Sequence, residues 1–177
     1  MATKLSEHFT LEEMTYSDTA KAKKISNIPT NAHLCTLTHT CLYLLEPLRD
    51  LLIKTYNCQV IICINSGYRG KELNKAVNGV STSQHCSGEA ADIRCYKVIN
   101  GTKTLIPYAD VYEHIKEYVY NGLLSVDQCI LEQSGSAIWV HVSHSAWGKT
   151  KDRRQFLKYK NGRYTTDTYK NSKYLKH

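Results

Sequence analysis

Ser83-Gln-His-Cys-Ser-Gly-Glu-Ala-Ala-Asp92 sets an imidazole, His85, and a carboxylate, Asp92, seven residues apart around Gly88 and the small pair Ala90-Ala91. Nitrogen and oxygen donors of this kind suit zinc, whose catalytic sites use three protein ligands and leave a fourth position open. Gly88 can turn the chain so that His85, on a loop, faces Asp92 on a following strand, and the alanines leave room beside an ion. A His-x6-Asp spacing alone is too common to identify a metal site. A third donor has to come from elsewhere in the chain.

Upstream, Gln59-Val-Ile-Ile-Cys-Ile64 is a short β-branched run bounded by turn formers. It reads as a buried strand that delivers Asn65-Ser-Gly-Tyr-Arg69 at its end. The guanidinium fork of Arg69 suits a carboxylate or a polarised carbonyl, and equally a structural salt bridge. Residues 71–77 read as a short helix and 77–83 as a loop. Further back, Leu34, Leu37, Cys41, Leu44, Leu45, Leu48, Leu51 and Leu52 recur at helical steps after Pro29-Thr-Asn31. This predicts the main core helix, kinked or split at Pro47. Thr10-Leu-Glu-Glu13 matches a capping box and predicts a short helix over 10–18.

Downstream, 90–96 reads as a strand and 110–120 as a helix stopped by Asn121-Gly122. Asp127-Gln-Cys-Ile-Leu-Glu132 and Ala137-Ile-Trp-Val-His-Val-Ser143 flank Gln-Ser-Gly-Ser and predict an antiparallel hairpin. Strand alternation puts Trp139, His141 and Ser143 on one face and Val140 and Val142 on the other. His141 is thus available as a ligand, although the pattern alone favours a satisfied, half-buried histidine. Lys160-Asn-Gly-Arg163 carries the favoured two-residue turn of a second hairpin. Helices first and strands mixed in later point to an α+β domain with a largely antiparallel sheet flanked by helices.

The chain has 177 residues, 42% apolar and 22% charged, which fits one folded domain over 1–177, with a basic tail from about 150. Its apolar runs are far shorter than the roughly 18 residues of a membrane span, so no membrane insertion is expected. The opening Met-Ala-Thr-Lys-Leu-Ser-Glu-His has no apolar core followed by a cleavage site, so synthesis in a cytoplasm without a signal peptide is expected. The seven cysteines include no Cys-x-x-Cys pair and mostly sit in apolar runs, as buried reduced thiols do. A formal charge of +7 favours an anionic partner, which by charge alone is nucleic acid, a membrane surface or an anionic cell wall. No RNA-binding signature accompanies the thirteen tyrosines, so no nucleic-acid partner is expected.

Residues 83–92 fit the Ser-x-His-x-x-Gly-x-Ala-x-Asp signature of the D-Ala-D-Ala carboxypeptidases and endolysin peptidases of the M15 group, which are similar in fold to the Hedgehog signalling domain. Ser66-Gly-Tyr-Arg69 resembles that group's Ser-Gly-Tyr-Arg element, and Trp139-Val-His141 its later Trp-x-His element, in the same order along the chain. The likeness runs from about Phe9 to Ser143, with a Phe-Thr-Leu-Glu-Glu opening and a Leu-Glu-Pro-Leu-Arg helix like those of phage-type members.

The resemblance implies a zinc peptidase with His85, Asp92 and His141 as metal ligands and Zn2+ as cofactor. It implies Arg69 at the substrate carboxylate or carbonyl, with Ser83 and Gln84 touching substrate or shaping the metal loop. The group's general base is an acid close before the last histidine, often three residues before it, where this chain has Ile138. The nearest acid, Glu132, lies on the partner strand of the hairpin, within cross-strand reach, and is expected to be the base. The expected substrate is peptidoglycan peptide, cut by a monomeric D,D-carboxypeptidase or L-Ala-D-Glu endopeptidase. A phage product released at host lysis or carried in a virion fits the missing leader. The missing acid before His141 keeps open a non-catalytic zinc-containing binding or virion structural module of the same fold.

Overall fold

A computed structural model describes residues 2–148 and 151–168; the rest of the basic tail lies outside the described residues. In chain order the elements are α1 (Leu11–Thr15), α2 (Asp18–Lys23), α3 (Asn31–Thr40), a widened helical turn (Cys41–Leu45), α4 (Glu46–Tyr56), β1 (Gln59–Ser66) and α5 (Lys71–Ala76). There follow a 3-10 turn (Gln84–Ser87), β2 (Ala90–Ile99), β3 (Thr102–Leu105), α6 (Tyr108–Tyr120), β4 (Gln128–Ser134), β5 (Ala137–Ser143), β6 (Gln155–Lys160) and β7 (Arg163–Asp167). The fold is α+β, with helices packed on an open and mostly antiparallel sheet of order β1-β2-β5-β4-β6-β7, β3 pairing with β2.

The Thr10 capping box is present, but the helix it starts ends at Thr15. Tyr16 and Ser17 are extended, and the Ser17 hydroxyl caps a second helix, so the single helix expected over 10–18 is two. The long helix expected to kink or split at Pro47 instead stays helical over 31–56. The Glu46 amide reaches back five residues to the Cys41 carbonyl, a π-type turn, and this widening just before Pro47 accommodates a residue that lacks an N–H and crowds the preceding turn.

Alternation along the strands divides the sheet into two faces. Ile93, Cys95, Cys129, Val140, Val142 and Phe156 belong to the core with Leu37, Leu44, Leu45, Leu48, Tyr112 and Ile115 from the helices. The other face carries Asp92, His141 and Glu132. Two pairings had no precedent in the reading of the residues: the β2–β3 hairpin turns at Asn100-Gly101, and β4 pairs with β6 in parallel. The second pairing makes the β6–β7 hairpin part of the same sheet. All seven cysteines are free thiols. No helix among the described residues is long and apolar enough to cross a membrane.

Candidate metal centre

β1 ends at Ser66, opposite Asp92 across an irregularity in the ladder. At the next residue, Gly67, any Cβ would overlap the Met14 carbonyl oxygen, so only glycine lets this turn press onto the end of α1. The Gly67 carbonyl accepts a hydrogen bond from His85 Nδ1 at 2.6 Å, and the Arg69 amide donates to the His85 carbonyl at 3.1 Å. With its proton held at Nδ1, His85 turns the lone pair of Nε2 inward. The Asn27 side chain braces the same turn: its amide nitrogen donates to the Thr15 and Tyr68 carbonyls, and its oxygen accepts from the Gly70 amide.

The other end of the metal loop is set by Gly88, which closes the 3-10 turn at φ 79°. Its carbonyl accepts from the Thr40 hydroxyl at 2.9 Å, and a Cβ there would crowd the His33 carbonyl and Leu37. β2 then begins, and Asp92 lies directly opposite His141 on β5, so both side chains project from the same face.

Three donor atoms meet there. His141 Nδ1 lies 3.0 Å from Asp92 Oδ1, His85 Nε2 lies 3.2 Å from the same oxygen, and the two nitrogens are 3.2 Å apart. Ligands about 2.0–2.1 Å from a tetrahedral zinc stand roughly 3.3–3.4 Å from one another, so the triangle has the size of a zinc face. The residues are buried, with relative exposures of 1% for His85 and 7% for Asp92 and His141. Burial holds the His85 imidazole neutral by pushing its pKa down, against the pull of Asp92. Burial also opposes the charge on Asp92, but the imidazoles of His85 and His141 beside it outweigh that, and the carboxyl stays well below the usual range. A neutral His85 presents a lone pair to a carboxylate oxygen, acceptor against acceptor, a conflict that a divalent cation between them removes. The donor set and its spacing fit zinc.

Arg69 Nη1 lies 4.0 Å from Asp92 Oδ2, and its Nε is buried with no hydrogen-bond partner among the described residues. Glu132 is two residues along β4 from Ile130, the residue opposite His141, and so shares the face of His141. Burial and the charge of Asp92 raise the Glu132 pKa, while His141 and Arg69 oppose the rise. The Gln84 amide nitrogen donates to Asp127 Oδ2 at 3.0 Å, and its Oε1 is buried without a partner. Ser83 precedes the turn, its carbonyl accepting from the Cys86 amide at 2.9 Å. His144 leaves the strand altogether: β5 ends at Ser143, and His144 Nδ1 pairs with Asp152 Oδ2 at 2.7 Å.

A family profile described as Peptidase M15 matches residues 7–118, well over half of the chain. The chain belongs to the peptidase M15 family. The matched span carries Arg69, His85 and Asp92 and stops before Glu132 and His141. No curated protein matches the chain in sequence. M15 peptidases depend on zinc, and in this one His85, Asp92 and His141 are the group of donors close enough to share an ion among the described residues.

One part of this M15 peptidase's site escaped the reading of its residues. Asp127, buried just before β4, accepts from the Arg153 amide at 3.0 Å and from Arg153 Nε at 2.9 Å as well as from Gln84. The metal loop is thereby tied to the segment that leads into β6. Nothing local marks this contact, because its members are 43 and 26 residues apart.

Proposed function

We propose that this M15 peptidase is a zinc enzyme that hydrolyses peptide bonds of bacterial peptidoglycan, as a D,D-carboxypeptidase or an L-Ala-D-Glu endopeptidase. The reading rests on one observation: two imidazoles and a carboxylate, drawn from a loop and two strands, bring three donor atoms to within 3.0–3.2 Å of one another beside a glutamate of raised proton affinity. Its net charge of +7 favours accumulation on an anionic wall.

In this reading His85, Asp92 and His141 hold the ion, and the Gly67 carbonyl fixes the orientation of His85. Zinc held there would supply Lewis acidity, enough to polarise a carbonyl and to let a water lose a proton near neutral pH. Glu132 takes that proton and returns it to the leaving nitrogen, work suited to a carboxylate whose pKa is raised toward the working pH. Arg69, with donor capacity to spare, hydrogen-bonds the carbonyl oxygen as negative charge develops. Ser83 and Gln84 shape the metal loop, Gln84 through its hydrogen bond to Asp127.

Incubation of the zinc-loaded protein with defined muropeptides, followed by mass spectrometry, tests the proposal. Products from one bond type are expected, and a chelator should abolish them. His85→Ala and Asp92→Ala should lose both bound zinc and hydrolysis. Glu132→Gln should keep the zinc and lose about 10²–10⁴ in rate; full activity in that variant would move the base elsewhere. The position three residues before His141, held by Ile138, favours a second reading, a zinc-containing wall-binding module without catalysis. That reading requires wall binding with no product from any muropeptide.

A further inference from the structure

The face that carries the metal centre continues past Glu132. Glu132 is opposite Tyr159 on β6, and Tyr159 is opposite Tyr164 on β7. Opposed residues project from the same face of a sheet, so both rings lie on the face of Asp92, His141 and Glu132. The two rings pack with centroids 4.7 Å apart and planes inclined by 46°. Tyr159 is half-buried, while Tyr164 is 59% exposed on β7, the outermost strand of the sheet among the described residues. Burial, and then the charges of Glu132 and Asp92, push the Tyr164 phenol up, which places it within the electrostatic reach of the site.

Strand order lays these groups out in a row: Arg69 beyond the end of β1, Asp92 on β2, His141 on β5, Glu132 on β4, then Tyr159 and Tyr164. Strands about 4.8 Å apart put Tyr159 roughly 10 Å and Tyr164 roughly 14 Å across the sheet from His141. An extended peptide advances about 3.3–3.6 Å per residue, so the pair stands about three to four residues from the bond over the metal. Direction follows from the chemistry. The base returns its proton to the leaving nitrogen, so the leaving fragment lies on the Glu132 side and the tyrosines lie beyond it.

We infer that Tyr159 and Tyr164 form a specificity subsite for the leaving fragment, packing against the stem peptide three to four residues beyond the cleaved bond. The inference rests on the zinc-peptidase reading and on Glu132 as its base. It deepens that reading: a substrate that ends one residue after the bond does not reach the pair, and a longer one does.

Two muropeptide series cut at the same bond provide the test, one ending a single residue after it and one extended by three further stem residues. The zinc-loaded full chain should prefer the extended series. Tyr164→Ala should reduce kcat/KM on the extended peptide about tenfold more than on the short one, chiefly through KM, and Tyr164→Phe should retain the preference. The inference is overturned if Tyr164→Ala keeps the wild-type preference or loses rate equally on both series. If the wild type, with zinc bound, cleaves neither series, the zinc-peptidase reading fails and this inference falls with it.

Discussion

Glu132 must be ionised to accept a proton, and its surroundings resist ionisation. Burial and Asp92 raise its pKa above the ordinary glutamate value of 4.5. As pH falls through that raised value the base is lost, so the acidic limb of kcat/KM should lie above the range of an exposed glutamate. Arg69 opposes the rise, so Arg69→Met should move the limb to still higher pH while lowering the plateau. A limb that stays in place would remove Arg69 from the neighbourhood of the base. At this scale much could be read from the residues themselves, because strand alternation and hairpin pairing already set His141 and Glu132 on one face. The partner of Gln84 could not be, since Asp127 meets it only after the chain has crossed the sheet.

The elements place the donors by close approach at two glycines. Gly67→Ala forces a methyl group into the Met14 carbonyl and must displace the turn whose own carbonyl orients His85. A loss of about 1–3 kcal/mol is expected from such overpacking. Zinc affinity should also fall, measured by competition with a coloured chelator, and an unchanged affinity would separate the turn from the metal. Turn chemistry made the β6–β7 hairpin legible at Asn161-Gly162. The same dipeptide at Asn100-Gly101, also at positive φ, went unread because the exposed Thr-Lys-Thr-Leu of β3 lacks the apolar alternation of a strand. The widened turn at 41–45 has no signature beyond the proline that follows it.

Across the whole molecule, the last hairpin is secured by a buried charge. Asp167 Oδ2 accepts from Lys116 and Lys158, each at 3.0 Å, and Lys116 has no exposed surface. Burial works against the Asp167 charge, but hydrogen bonds from Lys158 and Lys116 outweigh it and bring its pKa from 3.8 to about 2. A carboxylate with a lowered folded-state pKa contributes its full stability above 3.8 and loses it as pH falls toward 2, so acid unfolding should begin in that window. Asp167→Asn leaves Lys116 without its closest partner and should cost about 3 kcal/mol, seen as a drop of roughly 6–12 °C in Tm. Sequence patterns treat lysine as solvated and sheets of this order as antiparallel throughout. Neither the buried Lys116 nor the parallel β4–β6 pairing was therefore within reach of those patterns. The donors are also spread widely: His85 and Asp92 lie near the middle of the chain, and His141 only in β5. The three donors therefore meet only once β5 has paired with β2. Cation capture should follow that pairing, and a zinc-responsive probe read during refolding would report the moment at which the fold closes.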